Sequence, residues 1–158
     1  MRILIIDDDE TKCIEIEKFI FDLDYLKLTL TKKQSWQSGF IEIKENGYNY
    51  DFLILDMSMP RYDSGIADSN EEFETYAGWE ILKEMKRNKT EIPTCLFTQY
   101  DYFGEGPDAV DRDTIHLELV KEFPEFYKGV VFFKKTNLDW KDKLRKIIVG
   151  VLDENTNC

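Results

Sequence analysis

Asp7, Asp8 and Asp9 follow the apolar run Ile3-Leu4-Ile5-Ile6, and Asp56 follows Phe52-Leu53-Ile54-Leu55. Farther along, Thr98 follows the apolar segment Pro93–Phe97, and Lys134-Lys135 follow or close Val130–Phe133. Carboxylates brought within a few ångströms repel one another and would sooner protonate than remain charged. A hard divalent cation removes that conflict, and oxygen-only ligands with open positions suit Mg²⁺. A lysine and a hydroxyl across such a site would bind the oxygens of an incoming phosphoryl group. These residue types therefore suit an acidic metal cage beside a carboxylate nucleophile. Taken singly, each has a plainer explanation: an aspartate after a strand often serves as a helix cap or turn residue. Their shared position after apolar runs is what carries weight.

The elements that must position them alternate along the whole chain. Ile3–Ile6 is wholly apolar, as a strand covered on both faces must be. Helical spacing follows over residues 11–23, with Ile14, Ile16, Phe19, Ile20 and Leu23 apolar. Leu26, Leu28 and Leu30 alternate with polar residues, which predicts a strand nearer the sheet edge. A helix is expected from Gln34 to Glu45, closed by Asn46-Gly47, and a buried strand over Phe52–Leu55. Met57–Ala77 has no period and carries Pro60 and Gly65, so it reads as a loop. Then come a helix over Trp79–Arg87, a strand over Pro93–Phe97 and a second loop over Gln99–Arg112. A helix over Thr114–Phe123, a strand over Val130–Phe133 and a helix over Trp140–Leu152 complete five βα units. Such alternation implies an α/β fold with a parallel sheet and helices on both faces. In such sheets ligands bind beyond the carboxyl ends of the strands, where strand order reverses. One domain is expected over residues 1–152, with 153–158 as a tail.

Composition narrows the partners. The formal net charge is −11, which disfavours phosphate backbones and anionic lipid, so neither nucleic acid nor membrane is expected as a partner. No apolar stretch has the length of a signal peptide core or a membrane span, and a cytoplasmic location is expected. Cys13, Cys95 and Cys158 are widely spaced, without the pattern of a disulfide framework or a zinc site. His116 is the single histidine, so a site built on several histidines is excluded; it reads as a solvated or half-buried helix residue.

The chain resembles the receiver domain of two-component response regulators. The matching segments are Ile3–Glu10, Leu53–Pro60, Gly78–Leu82, Ile92–Thr98 and Phe132–Lys135, with Leu53–Pro60 the most specific. The resemblance implies a flavodoxin-like, doubly wound five-stranded sheet of order 2-1-3-4-5. It implies that Asp56 accepts a phosphoryl group from a histidine kinase or phosphotransfer protein in a Mg²⁺-dependent reaction. Asp8 would bind the ion directly, Asp7 mostly through water, and the Ser58 backbone carbonyl would be a further ligand, alongside Asp56. Thr98 would hydrogen-bond the phosphoryl group and, with Phe132, act as the switch. Lys135 would pair with Asp56, because an aromatic, Phe132, stands three residues before it; Lys134 is second choice. The domain would catalyse only its own phosphotransfer and dephosphorylation and would signal through contacts with an unidentified protein. Three departures stand out: Thr136 in place of a proline, Gln99 in place of a small residue, and a much longer loop after Pro60.

Two other functions fit parts of the pattern. A receiver-like adaptor would keep the fold without phosphorylation. A phosphohydrolase resembling the haloacid dehalogenase superfamily would use Asp7 and Asp9 of the run Asp7-Asp8-Asp9-Glu10-Thr11. That reading lacks the expected late acidic pair and leaves Asp56–Pro60 without a role. The loop Arg61–Ala77 carries Asp63, Asp68, Glu71, Glu72 and Glu74 against Arg61 alone, and Gln99–Arg112 is acidic too. Both leave strands on the side of the phosphate site and are expected to form a partner-selecting lid, with Tyr62, Phe73 and Tyr76 anchoring the first.

Overall fold

The computed structural model describes residues 1–23, 27–65 and 73–157. Its main strands are β1 (Arg2–Ile6), β2 (Thr29–Lys33), β3 (Phe52–Leu55), β4 (Thr94–Thr98) and β5 (Tyr127–Phe132). The helices between and after them are α1 (Glu10–Phe21), α2 (Trp36–Asn46), α3 (Ala77–Asn88), α4 (Arg112–Glu122) and α5 (Asp139–Thr156). All five strands are parallel, in the order β2-β1-β3-β4-β5, the expected doubly wound, flavodoxin-like arrangement.

Side chains alternate across a strand, so each apolar strand feeds two cores. Leu4, Ile6, Leu53, Leu55 and Leu96 pack on one face against Ile43 of α2, Ile81, Leu82 and Met85 of α3, and Ile115 and Leu119 of α4. Ile3, Ile5, Phe52, Ile54 and Phe97 pack on the other against Ile16, Phe19 and Ile20 of α1 and Trp140, Leu144 and Ile148 of α5. Burial of both faces explains why β1, β3 and β4 are continuous apolar runs.

Several elements differ from the sequence expectation. The second strand begins at Thr29, not Leu26, and residues 24–26 lie outside the described ones. The leucine alternation gave its neighbourhood, but its end follows pairing: β1 aligns Arg2 with Thr29 and Ile6 with Lys33, and Asp7 N donates to Lys33 O at 3.0 Å. The last helix runs to Thr156, so most of the expected tail is helical. The loop after β3 contains an antiparallel pair, Met59–Pro60 with Phe73–Glu74. The loop after β4 likewise contains Tyr102–Phe103 paired with Val110–Asp111. Two-residue pairs are too short to show a period in sequence.

Of the three loop aromatics, Tyr76 shows anchoring contacts among the described residues. Its ring meets Trp79 edge-on at 6.2 Å, and its hydroxyl donates to Phe103 O at 3.4 Å, tying the two loops together. Tyr62 and Phe73 are 40% and 55% exposed. Arg61 holds the loop base to α2 instead, with its guanidinium 4.7 Å from the Trp36 ring centroid and its carbonyl accepting from Gln37 N at 3.0 Å. Asp68, Glu71 and Glu72 lie outside the described residues.

Candidate acidic phosphoacceptor site

Parallel strands leave all their carboxyl ends on one side of the sheet, and β1 and β3 are neighbours there. Asp7 and Asp56 continue those two strands, and Asp56 N donates to Ile6 O at 3.0 Å, which extends the ladder into the site. Asp7, Asp8 and Asp56 each offer a carboxylate oxygen, and these atoms lie within 4.8 Å of one another. Asp7 and Asp56 are buried at 1% and 3% exposure, whereas Asp8 faces solvent.

Asp9 has a different task. Its side chain caps α1, accepting from Lys12 N at 3.0 Å, and its own N–H donates to Asp7 Oδ1 at 2.9 Å. Asp56 Oδ1 accepts from Met57 N at 2.7 Å. The Ser58 hydroxyl donates to Thr75 O at 2.8 Å, so this buried serine is held by the segment leading into α3. Thr98 ends β4, fully buried, and its Oγ1 accepts from Tyr100 N at 3.2 Å. Phe132 pairs in register with Thr98 across β4 and β5. Arg112 lies over the Phe132 ring, 4.0 Å from its centroid. Gln99 is exposed and reaches toward the Tyr100 hydroxyl at 3.5 Å.

The lysine in this site is Lys12 of α1, not the expected Lys135. Lys12 is fully buried, and its Nζ donates to Asp56 Oδ2 at 2.7 Å. The same Nζ lies 2.7 Å from Asp7 Oδ2, so one ammonium forms ion pairs with both buried carboxylates. Lys134 and Lys135 are exposed, and neither forms an ion pair among the described residues; Lys134 instead bridges to Asn137. The resemblance selects Lys135 by its position after Phe132, and a matched position does not aim a side chain. A signal for Lys12 existed in the periodicity. Lys12, Ile16, Phe19 and Ile20 fall at i, i+4, i+7 and i+8 of α1, and all four are buried. A lysine on that stripe either extends its ammonium to water or meets a buried anion, and Lys12, fully buried, does the second.

One ammonium facing two buried carboxylates leaves the pocket short of positive charge. Burial, followed by the charge of Asp56, pushes the Asp7 carboxyl above the ordinary carboxylate range, with Lys12 opposing the rise. Burial also raises Asp56, opposed chiefly by Lys12. Burial alone would lower the Lys12 ammonium, but Asp56 and Asp7 together raise it above the ordinary lysine value, so it stays charged. The donor set fits a hard cation: the ligands are all oxygen, and three clustered carboxylates share a single ammonium, so negative charge remains for a cation to offset.

Other groups singled out in the sequence take structural places. His116 shares a hydrogen bond with the Tyr127 hydroxyl at 2.9 Å. Cys13 and Cys95 are buried free thiols pushed upward by burial, and Cys158 lies outside the described residues. No helix among the described residues is long and apolar enough to cross a membrane.

No family model matches this sequence. The chain is 29% identical over 149 residues to the Detocs response regulatory protein DtcB of Enterobacter cloacae, covering 94% of this chain and 98% of that protein. It is 31% identical over 98 residues to the response regulator SaeR of Staphylococcus aureus, 62% of this chain and 35% of that one. Among solved structures, a response regulator receiver domain protein from Clostridium thermocellum superposes with a TM-score of 0.64 at 20% identity, covering 98% of this chain and 96% of that one. A chain from the complex of the CheA3 P1 domain with CheY6 from R. sphaeroides gives a TM-score of 0.61 at 18% identity, with 96% of each chain covered.

Proposed function

Because this chain is a response-regulator receiver domain, we propose that Asp56 accepts a phosphoryl group and that the resulting charge alters a protein-binding surface. The observation that carries this reading is the convergence of Asp7, Asp8 and Asp56 within 4.8 Å, with Asp56 at the end of β3. An oxygen of the Asp56 carboxylate attacks phosphorus, and the bond from phosphorus to the donor's leaving atom breaks. With a phosphohistidine donor, the departing electron pair returns to the imidazole nitrogen. A histidine kinase or phosphotransfer protein is the donor we favour, and one structural relative comes from a complex with the P1 domain of CheA3.

Asp7, Asp8, Asp56 and the Ser58 carbonyl would hold Mg²⁺. Bound there, the ion would supply positive charge to the transferring phosphoryl oxygens. In this reading the Thr98 hydroxyl, buried at the end of β4, would donate to one of those oxygens, and its strand neighbour Phe132 would carry the change toward α4. Lys12 takes the ion-pair role with Asp56 that was expected of Lys135. The domain catalyses only reactions of its own aspartate, and a cytoplasmic site fits its supply of phosphodonor. A net charge of −11 supports a protein target over nucleic acid or membrane.

Intact mass after incubation with Mg²⁺ and acetyl phosphate tests the assignment. The wild type should gain one phosphoryl group, and Asp56→Asn should gain none. Label on Asp56→Asn that maps to Asp7 or Asp9 would support the phosphohydrolase alternative and overturn our reading. A second reading, the adaptor that is not phosphorylated, is favoured by one observation: both Asp56 oxygens already have donors, Lys12 Nζ and Met57 N. A wild type that gains no mass from either small donors or kinases would support it.

A further inference from the structure

The Lys12 ammonium contacts two of the three carboxylates that would bind a divalent ion. We propose that Lys12 is a built-in cation of the acidic pocket, contending with Mg²⁺ for Asp7 and Asp56 and lowering the affinity of the site for metal. The proposal rests on the magnesium reading above and adds to it a residue that sets metal affinity.

The position of Lys12 is built. Asp9 caps the first turn of α1 through the Lys12 N–H, and Ile16, Phe19 and Ile20 continue the same buried stripe into the core. The side chain therefore reaches the acids from inside the protein, whereas the exposed Asp8 marks the solvent side. An ammonium taken out of water costs several kcal/mol unless oppositely charged groups compensate it. Two carboxylate oxygens at 2.7 Å do so here.

Competition follows from those contacts. Mg²⁺ requires oxygen ligands at about 2.1 Å in near-octahedral geometry. A positive charge already in contact with Asp7 Oδ2 and Asp56 Oδ2 repels a second cation and holds both carboxylates in orientations set by the ammonium. Metal binding must then weaken at least one of two buried ion pairs. The pocket is thus kept assembled without metal, and Asp56 is exposed to a donor only as Lys12 gives way.

Calorimetric Mg²⁺ titrations of the wild type, Lys12→Met, Lys12→Gln and Lys12→Arg test this. Lys12→Met and Lys12→Gln should bind Mg²⁺ at least tenfold more tightly than the wild type, and Lys12→Arg, which keeps the charge, should stay near the wild type. A merely structural lysine would give no such split between neutral and charged replacements. Equal or weaker affinity in both neutral variants overturns the role of Lys12 and leaves the magnesium site standing. Absence of Mg²⁺ binding in every protein, wild type included, overturns the magnesium reading and this proposal with it. If the neutral variants do not fold, the wild type still decides: the NMR signal of the Lys12 side-chain ammonium should shift as Mg²⁺ is added, and an unmoved signal at metal saturation refutes competition.

Discussion

The backbone carbonyl of Asp56 lies where a side chain at Gly78 would begin. Gly78 N donates to Met57 O at 2.8 Å, and a Cβ on Gly78 would stand 3.0 Å from Met57 Cα while overlapping the Asp56 carbonyl oxygen. The first turn of α3 can therefore lie directly against the segment that carries Asp56 only because residue 78 lacks a side chain.

Gly78→Ala should consequently push α3 away from Asp56. Overpacking a tight backbone contact costs roughly 1–3 kcal/mol, and chemical denaturation should show a loss of that order. Labelling of Asp56 should slow in the fraction that remains folded. Wild-type stability and labelling in Gly78→Ala would show that the contact has no bearing on the site.

Asp8 and Asp9 are adjacent but should fail in opposite ways. Asp8 belongs to the carboxylate cluster, whereas the Asp9 side chain caps α1. Asp8→Ala should weaken Mg²⁺ binding severely with little change in stability in the absence of metal. Asp9→Ala should cost about 1 kcal/mol of stability through loss of the cap and leave metal affinity within a few-fold. Equal losses of affinity would mean that the cage has been misassigned.

His116 should titrate below its ordinary value of 6.5, because burial and then the nearby Lys143 disfavour its charged form. The unfolded chain then binds a proton more readily than the folded one, so acidification favours unfolding. This contribution to stability is complete above about pH 6.5 and is lost as the pH falls through the folded value. As the single histidine, it gives one resolved ring titration by NMR. A midpoint at or above 6.5 would contradict the partial burial of His116 and the nearness of Lys143. Relative to His116→Gln, the wild type should lose stability between pH 7 and pH 5.

The acidic loop after Pro60 should screen the site from anions. Replacing residues 63–72 with a short Gly-containing turn spares the Met59–Pro60 pairing with Phe73–Glu74 and the Tyr76 anchor. Mg²⁺ binding should persist, while labelling by acetyl phosphate at low salt should accelerate, because fewer carboxylates then oppose an anionic donor. An unchanged rate at low salt would remove the lid role.

The sequence alone determined the strand-end chemistry. Ile3–Ile6 and Phe52–Leu55 are short apolar runs without alternation, as strands covered on both faces must be, and alternation with helices makes the sheet parallel. A parallel sheet places all carboxyl ends together, so Asp7, Asp8, Asp56 and Thr98 had to share one edge wherever each strand's bounds fell. Periodicity put Lys12 on the apolar stripe of α1, but tertiary structure decided that it is the lysine that meets them. Lys135 follows β5 and turns to solvent, because a strand end fixes where the backbone leaves and not where a long side chain goes. Lys12 enters from α1 because the cap at Asp9 and the packing of Ile16 and Phe19 set the rotation of the helix against the sheet. That rotation comes from contacts distant in sequence, and through it a charged residue on a helical stripe became the ion-pair partner of Asp56.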